Sequence, residues 1–170
     1  MSEQGYKHLL LAVDFAPESE VVIQRALMMR ERFGARLSLV NVVEYMAPGT
    51  DYAGGAFVAE PVLPEELGLE TELIDVAKQE LDALGERLGV PPADRIVEAG
   101  PTGRSIEHVA RDLGVDLIVV GVHERSWLGR LLGSTPKSLL SHEVCDMLAV
   151  RIDPPMPDRN DRNSVRSQDR

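Results

Sequence analysis

The chain predicts an α/β fold: a five-stranded, mostly parallel sheet with helices on both faces. Three observations carry this. Short apolar runs that read as strands alternate with longer stretches of helical periodicity, in the order β-α-β-α-β-α-β-α-β, and such alternation gives a largely parallel sheet covered on both sides. The strand runs are short, apolar and bounded, as strands buried on both faces are. Glycines close the helical stretches at Gly34, Gly89 and Gly114, where a helix commonly needs a residue that accepts positive φ.

In chain order, Tyr6–Val13 (YKHLLLAV) reads as a buried first strand ending at Asp14. Pro17 suits a first helical turn, with Glu18 and Glu20 near the positive end of the dipole. Val22, Ala26, Met29 and Phe33 then recur at i, i+4, i+7 and i+11, one face of a helix that Gly34 ends. Arg36–Val43 (RLSLVNVV) is the second strand, and the unit should wind right-handed. Glu44–Glu65 breaks the rhythm with three prolines and three glycines; a connection of roughly twenty residues is longer than most, and it reads as an excursion or a cleft cover. Glu66–Leu88 is a long helix with Leu73, Ile74, Ala77, Leu81, Leu84 and Leu88 on one face. Gly85 interrupts it at a cost of about 1 kcal/mol. Arg95–Glu98 is a short third strand, and Gly100-Pro101-Thr102-Gly103 turns into a helix carrying Ile106, Val109, Ala110 and Leu113. Val115–Val120 is the fourth strand, turning at Gly121 into a charged loop. Ser134–His142 is the fourth helix and Asp146–Ile152 (DMLAVRI) the fifth strand.

Residues 1–152 form one expected domain, and 153–170 reads as a disordered tail, rich in proline and charge and poor in large apolar residues. The tail holds four Asp and four Arg, so the net charge of -10 sits on the folded body. That acidity argues against a nucleic-acid-coating role, which needs a basic footprint. A single cysteine, Cys145, excludes an intrachain disulfide and a four-cysteine zinc site. No apolar run approaches a membrane span or a signal-peptide core. Cytoplasmic residence is the expectation.

In a doubly wound sheet, ligands bind outside the carboxyl ends of the strands, where strand order reverses. Asp14 follows strand one, Val42 and Val43 close strand two, and Gly121 follows strand four, so these should share one edge. The stretch from Gly121 to Gly133-Ser134-Thr135 resembles a phosphate cradle: a strand, a loop ending in small residues, then a helix start whose N–H groups and dipole favour an anion. His123 sits in that loop as a candidate ligand contact. Asp14 has two readings: a cap for the helix near Pro17, or an acceptor for a ribose or adenine edge.

Other chemistries find no support. GxxxxGK[ST], GxSxG and a GxGxxG after the first strand are all absent. The four histidines show neither HxxxH nor HExxH spacing, so no metal site is expected. His8 and His142 read as solvent or edge histidines. Cys145 reads as a buried, inert thiol. Trp127 reads as a packing residue, with adenine stacking as the alternative. No catalytic residue emerges.

The segments HLLLAVDFAPESE, LSLVNVVE and, above all, DLIVVGVHERSWLGRLLGSTPKSLLSHEVCDMLAVRI resemble the universal stress protein family, A type, over roughly residues 5–152. The resemblance implies a Rossmann-like fold of the adenine nucleotide α-hydrolase type, a cytoplasmic homodimer and a role in stress survival. It also implies a motif in nucleotide-binding members: a glycine, two residues, a second glycine, nine residues, then Gly-Ser or Gly-Thr. Here Gly121 matches the first glycine, Glu124 replaces the second, and only eight residues (Arg125–Leu132) precede Gly133-Ser134. Asp14 and Val42 match the ribose- and adenine-side positions. A carboxylate at the second glycine disfavours phosphate, since two unit charges 4 Å apart repel by about 4 kcal/mol at an effective dielectric of 20. Arg125 and Arg130 offset this if they point inward. The expectation is therefore a dimeric stress-response protein with weak or no ATP binding. The alternatives are an ATP-binding module or slow ATPase using Asp14, Val42, Gly121, His123, Gly133, Ser134 and Thr135, and an interaction protein that regulates an unidentified partner. The short apolar strand Asp146–Ile152, expected at a sheet edge, invites pairing, and the resemblance implies pairing of this strand between protomers.

Overall fold

The computed structural model describes residues 5–44, 64–123 and 144–152, and at 64–67 and 123 the backbone alone. The elements are β1 (His8–Ala12), α1 (Glu20–Phe33), β2 (Arg36–Val43), α2 (Pro64–Leu88), β3 (Arg95–Ala99), α3 (Thr102–Asp112), β4 (Leu117–His123) and β5 (Asp146–Ile152). The strands form one sheet in the order β3-β2-β1-β4-β5, and all four pairings are parallel. The chain builds outward from β1 to β3, then crosses back to lay β4 on the other side of β1. The reversal between β1 and β4 is the switch point, and β5 is an edge strand.

Two cores follow from the alternation of side chains across a strand. Leu9 and Leu11 pack with Val22, Ile23 and Ala26 of α1 and with Leu81 and Leu84 of α2. Leu10, between them, faces the other way, with Val40, Ile118 and Ile106, Val109 and Ala110 of α3. All three β1 leucines are fully buried, and burial of a leucine side chain contributes about 1.5 to 3 kcal/mol. That is why β1 has no polar alternation.

The boundaries differ from the sequence reading in instructive ways. The chain does not enter an α-helix at Pro17. Pro17–Ser19 form one 3₁₀ turn, and α1 begins at Glu20. Gly34 ends α1 in the left-handed region at φ 62°. Phe33 lies at the rim instead of in the core, edge-on to Tyr6 with ring centres 5.2 Å apart. α2 starts two residues earlier than expected. Its buried face comprises Ala77, Leu81 and Leu84, whereas Leu73 is 40% exposed beside Leu69 and Val76. A helix of 25 residues runs about 38 Å, while an eight-residue strand spans about 26 Å. Among the described residues, the first half of α2 leaves Leu69, Leu73 and Val76 exposed, and the second half is the part that packs into the core.

Gly121 does not turn the chain. β4 continues through it to His123, and Gly121 pairs with Val150 of β5. A Cβ on Gly121 would lie 2.7 Å from Ile152 Cδ1 and 3.0 Å from Val22 Cγ2. The glycine admits the packing of β5 and α1 against β4.

His8 is buried, not a solvent-facing histidine. Nδ1 meets the Leu113 carbonyl at 3.2 Å and Nε2 meets the Ser38 hydroxyl at 2.8 Å. Burial, then the Arg36 charge, hold its pKa below the ordinary value. Cys145 is half-buried, and burial raises its thiol pKa. No helix among the described residues is long and apolar enough to cross a membrane. The expected helix Ser134–His142, the body of the 44–65 connection, Trp127 and the 153–170 tail lie outside the described residues.

Candidate functional site

The carboxyl ends of β1, β2 and β4 open onto one cleft of about 870 Å³. Its position follows from the topology: β2 and β4 flank β1, where the strand order reverses. The β1 exit is held from both sides. The Val13 amide donates to the Val40 carbonyl at 2.9 Å, and the buried Asn41 amide donates to the Val13 carbonyl at 2.8 Å. Beyond Val13 the backbone bends sharply, with Phe15 at φ 59°. Positive φ costs a non-glycine residue of order 1 to 3 kcal/mol and persists only where surroundings enforce it. Here Phe15 packs against the α1/α2 core.

Asp14 stands at the apex of this bend. Its Oδ1 accepts from the Ala16 amide at 3.1 Å and from the Ser19 hydroxyl at 2.6 Å. The capping reading is thus met in altered form, because the carboxylate fastens the turn ahead of α1 and not the α-helix itself. Its Oδ2 has no hydrogen-bond partner among the described residues.

The cleft is largely apolar, with Val40, Val42, Ile106, Val120, Val122 and Met147 among its walls. Charged lining residues among those described are Asp14, Glu20, Glu80 and Arg87. Arg87 is already engaged: Nη1 and Nη2 donate to the two Glu20 carboxylate oxygens at 3.2 and 3.0 Å. Both partners are about half exposed, so the pair contributes about 0 to 1 kcal/mol. The Arg87 hydrogen bond lowers the Glu20 pKa, keeping that carboxylate ionised.

The N-terminus of α3 also reaches the cleft through Thr102. A helix start attracts anions, but this one is occupied. Glu44 Oε1 accepts from the Thr102 amide at 2.9 Å and from the Thr102 hydroxyl. Gly100, at φ 133°, donates to the Val43 carbonyl and brings the two chain segments together.

Of the sequence candidates, the structure brings Asp14, Val42 and Gly121 into this one cleft. The His123 backbone ends β4 two residues further on. Gly133, Ser134 and Thr135, with Glu124, Arg125 and Arg130, lie outside the described residues. Asn41, Glu44, Glu20 and Arg87 were not among the candidates. None of the four carried a signal: Glu44 directly follows the end of β2, but the helix it caps starts 58 positions later.

The family model for the universal stress protein family matches residues 5–151, most of the chain. The chain belongs to the universal stress protein family. A relative, universal stress protein A homolog 1 of Coxiella burnetii, is 33% identical over 85% of this chain and 96% of its own length. Among solved structures, universal stress protein UspA from Lactobacillus plantarum superposes with a TM-score of 0.60 at 24% identity, covering 86% of this chain and 99% of that one. A universal stress protein solved in complex with cAMP gives a TM-score of 0.53 at 18% identity, covering 88% and 99%. These two likenesses bear on the fold alone. Membership of the universal stress protein family makes this chain a stress-response protein, and its all-parallel five-stranded sheet is the fold of its structural neighbours.

Proposed function

We propose that this universal stress protein is a homodimeric, cytoplasmic stress-response protein that holds ATP weakly or not at all. The charge of the switch-point cleft carries the reading. Among the described residues, Asp14, Glu20 and Glu80 supply three carboxylates against one guanidinium, Arg87, which is spent on Glu20. The start of α3, which also lines the cleft, has its Thr102 amide taken by Glu44. Glu124 adds a further carboxylate to the sequence of the loop that follows β4. A polyphosphate would meet repulsion without an uncommitted described cation to offset it. Isothermal titration with ATP should give no binding, or binding weaker than about 0.1 mM, where a strong site would reach about 1 μM. A micromolar dissociation constant overturns the reading.

The dimer is proposed through the outer edge of β5, whose inner edge is taken by β4. An edge strand presents unpaired amides and carbonyls that a second copy can pair. Light scattering at micromolar concentration should give twice the 18.7 kDa chain mass, and a monomer mass refutes it. Such a protein would act through a regulated partner, detectable as a stoichiometric companion on purification.

A second reading, a nucleotide-binding module or slow ATPase on Asp14, Val42, Gly121, His123, Gly133, Ser134 and Thr135, is favoured by the cleft's place at the switch point and by the cAMP complex of a similarly folded protein. Heat extraction of purified protein separates the two: released adenine nucleotide supports the second.

A further inference from the structure

We infer that the exposed sides of α1 and α2 form a self-association surface, on which α1 of one copy docks against α2 of a second copy. This contact is separate from the β5 edge and comes in addition to the pairing proposed there.

Three observations carry it. First, every exposed large hydrophobic side chain among the described residues belongs to these two helices, while α3, on the opposite face of the sheet, contributes none. On α2, Leu69, Leu73 and Val76 are 49%, 40% and 49% exposed and recur at i, i+4 and i+7, so they form one stripe. A contiguous apolar patch on a soluble surface marks an interaction site. Second, α1 repeats that spacing. Val21, Arg25 and Met28 also fall at i, i+4 and i+7, with Arg32 one turn further on. Val21 and Met28 are 41% and 46% exposed. Both stripes thus carry apolar side chains about 10.5 Å apart along the helix axis. Third, the charges are opposite. α2 holds eight acidic residues against two basic ones, and Glu72 and Asp75 are exposed beside its stripe. α1 holds three arginines against two glutamates. Arg30 is used within the chain, on the Leu88 carbonyl. Arg25 and Arg32 are exposed, with no hydrogen-bond or ion-pair partner among the described residues.

These stripes fit each other better than either fits itself. A net charge of -10 opposes the approach of two copies, and setting the arginines of α1 against the carboxylates of α2 offsets that repulsion. The arginine stems cover apolar surface while their guanidinium groups reach the carboxylates. α1 and α2 pack on the same side of the sheet, so a two-fold axis between them makes the α1–α2 contact twice and closes the assembly.

The experiment is analytical ultracentrifugation of the full chain from micromolar to near-millimolar concentration, at low and high salt. The mass should double above its micromolar value as concentration rises, and high salt should weaken this step by screening the charges. Leu73→Glu should weaken it at least about tenfold and leave the micromolar mass unchanged. Charge reversal tests who meets whom. The Arg25→Glu/Arg32→Glu copy and the Glu72→Lys/Asp75→Lys copy should each fail to self-associate by this step, yet associate with each other when mixed, because only the mixed pair restores opposite charges in both contacts. All these positions are exposed, so the variants should keep the parent Tm. A mass that stays at its micromolar value throughout overturns the inference and leaves the β5 pairing standing. A monomer at micromolar concentration that doubles at high concentration, and not in Leu73→Glu, refutes the β5 pairing and supports the inference. Doubling that survives Leu73→Glu, or charge-reversed copies that fail to associate on mixing, overturns the inference.

Discussion

His8 Nε2 lies 2.8 Å from the Ser38 hydroxyl, and that hydroxyl also lies 3.1 Å from Asp94 Oδ1. With the Leu113 carbonyl 3.2 Å from Nδ1, three contacts require three protons. A neutral imidazole and one hydroxyl supply two; an imidazolium supplies the third. Against the charged form stand burial and Arg36, which lower the His8 pKa, while the Leu113 carbonyl, then Asp94 and Asp116, favour it less strongly. Asp94 is itself 4% exposed and held below the carboxylate range, chiefly by its hydrogen bonds to Arg36. The sign is the same for both. A group whose folded pKa is depressed releases its proton more readily in the folded state, so the unfolded chain binds more protons on acidification. Stability is therefore full above pH 6.5 for His8 and above pH 3.8 for Asp94, and is lost as pH falls through each folded value. Thermal melts should show Tm declining from pH 7 to pH 5, with a smaller decline in His8→Gln. Ser38→Ala strands the groups on either side of a fully buried hydroxyl and should cost about 1 to 3 kcal/mol by urea denaturation.

Gly85 makes a case against helix propensity. Arg95 crosses α2 at this glycine, its side chain 8% exposed, with Nε donating to the Val90 carbonyl at 2.9 Å and Nη1 to Asp82 at 3.1 Å. A Cβ on Gly85 would stand 2.1 Å from Arg95 Nε. Gly85→Ala gains about 1 kcal/mol of propensity, yet displacing the guanidinium forfeits charged hydrogen bonds of about 1.5 to 3 kcal/mol. The variant should be destabilised by about 1 kcal/mol net. In the background Arg95→Ala the same change should stabilise, giving a double-mutant coupling above about 1 kcal/mol. Additive effects would refute the account.

These residues mark what was legible in the sequence. The strand-helix alternation fixes layers and switch point because it depends on local periodicity: Leu9, Leu10 and Leu11 announce burial on both faces by being consecutive. Asp14, Val42 and Gly121 are brought to one edge because strand ends are set by that same periodicity. What stayed hidden depends on partners distant in sequence. Gly85 reads as a helix defect until Arg95 is laid over it. His8 reads as an ordinary edge residue until Ser38 and Asp94, 30 and more positions away, arrive beside it. Gly121 reads as a turn until β5 supplies Ile152. The acidic balance of the cleft needs α1, α2 and the β2 exit in place together.

Gly121→Ala separates packing from phosphate binding. The added methyl meets Ile152 Cδ1 at 2.7 Å and Val22 Cγ2 at 3.0 Å, and overpacking of a fitted core costs about 1 to 3 kcal/mol. The denaturation midpoint should fall without any ligand present. Ile152→Val removes the Cδ1 methyl and should restore part of the loss in the double variant. An unchanged midpoint would mean that this glycine is not required for joining β4 to β5.

The turn around Asp14 gives the last test, because a single carboxylate oxygen accepts both of its bonds. Asp14→Ala removes the acceptor for the Ala16 amide and the Ser19 hydroxyl, and loss of a comparable capping contact costs about 0.5 to 2 kcal/mol. Phe15 at φ 59° then loses one of the contacts that hold its bend, so the loss should lie in the upper half of that range. Asp14→Asn retains a carbonyl oxygen for both donors and should stay within about 0.5 kcal/mol of the parent. Urea denaturation of the two variants reads this directly. Equal destabilisation by Ala and Asn would show that charge, not acceptance at Oδ1, holds the turn.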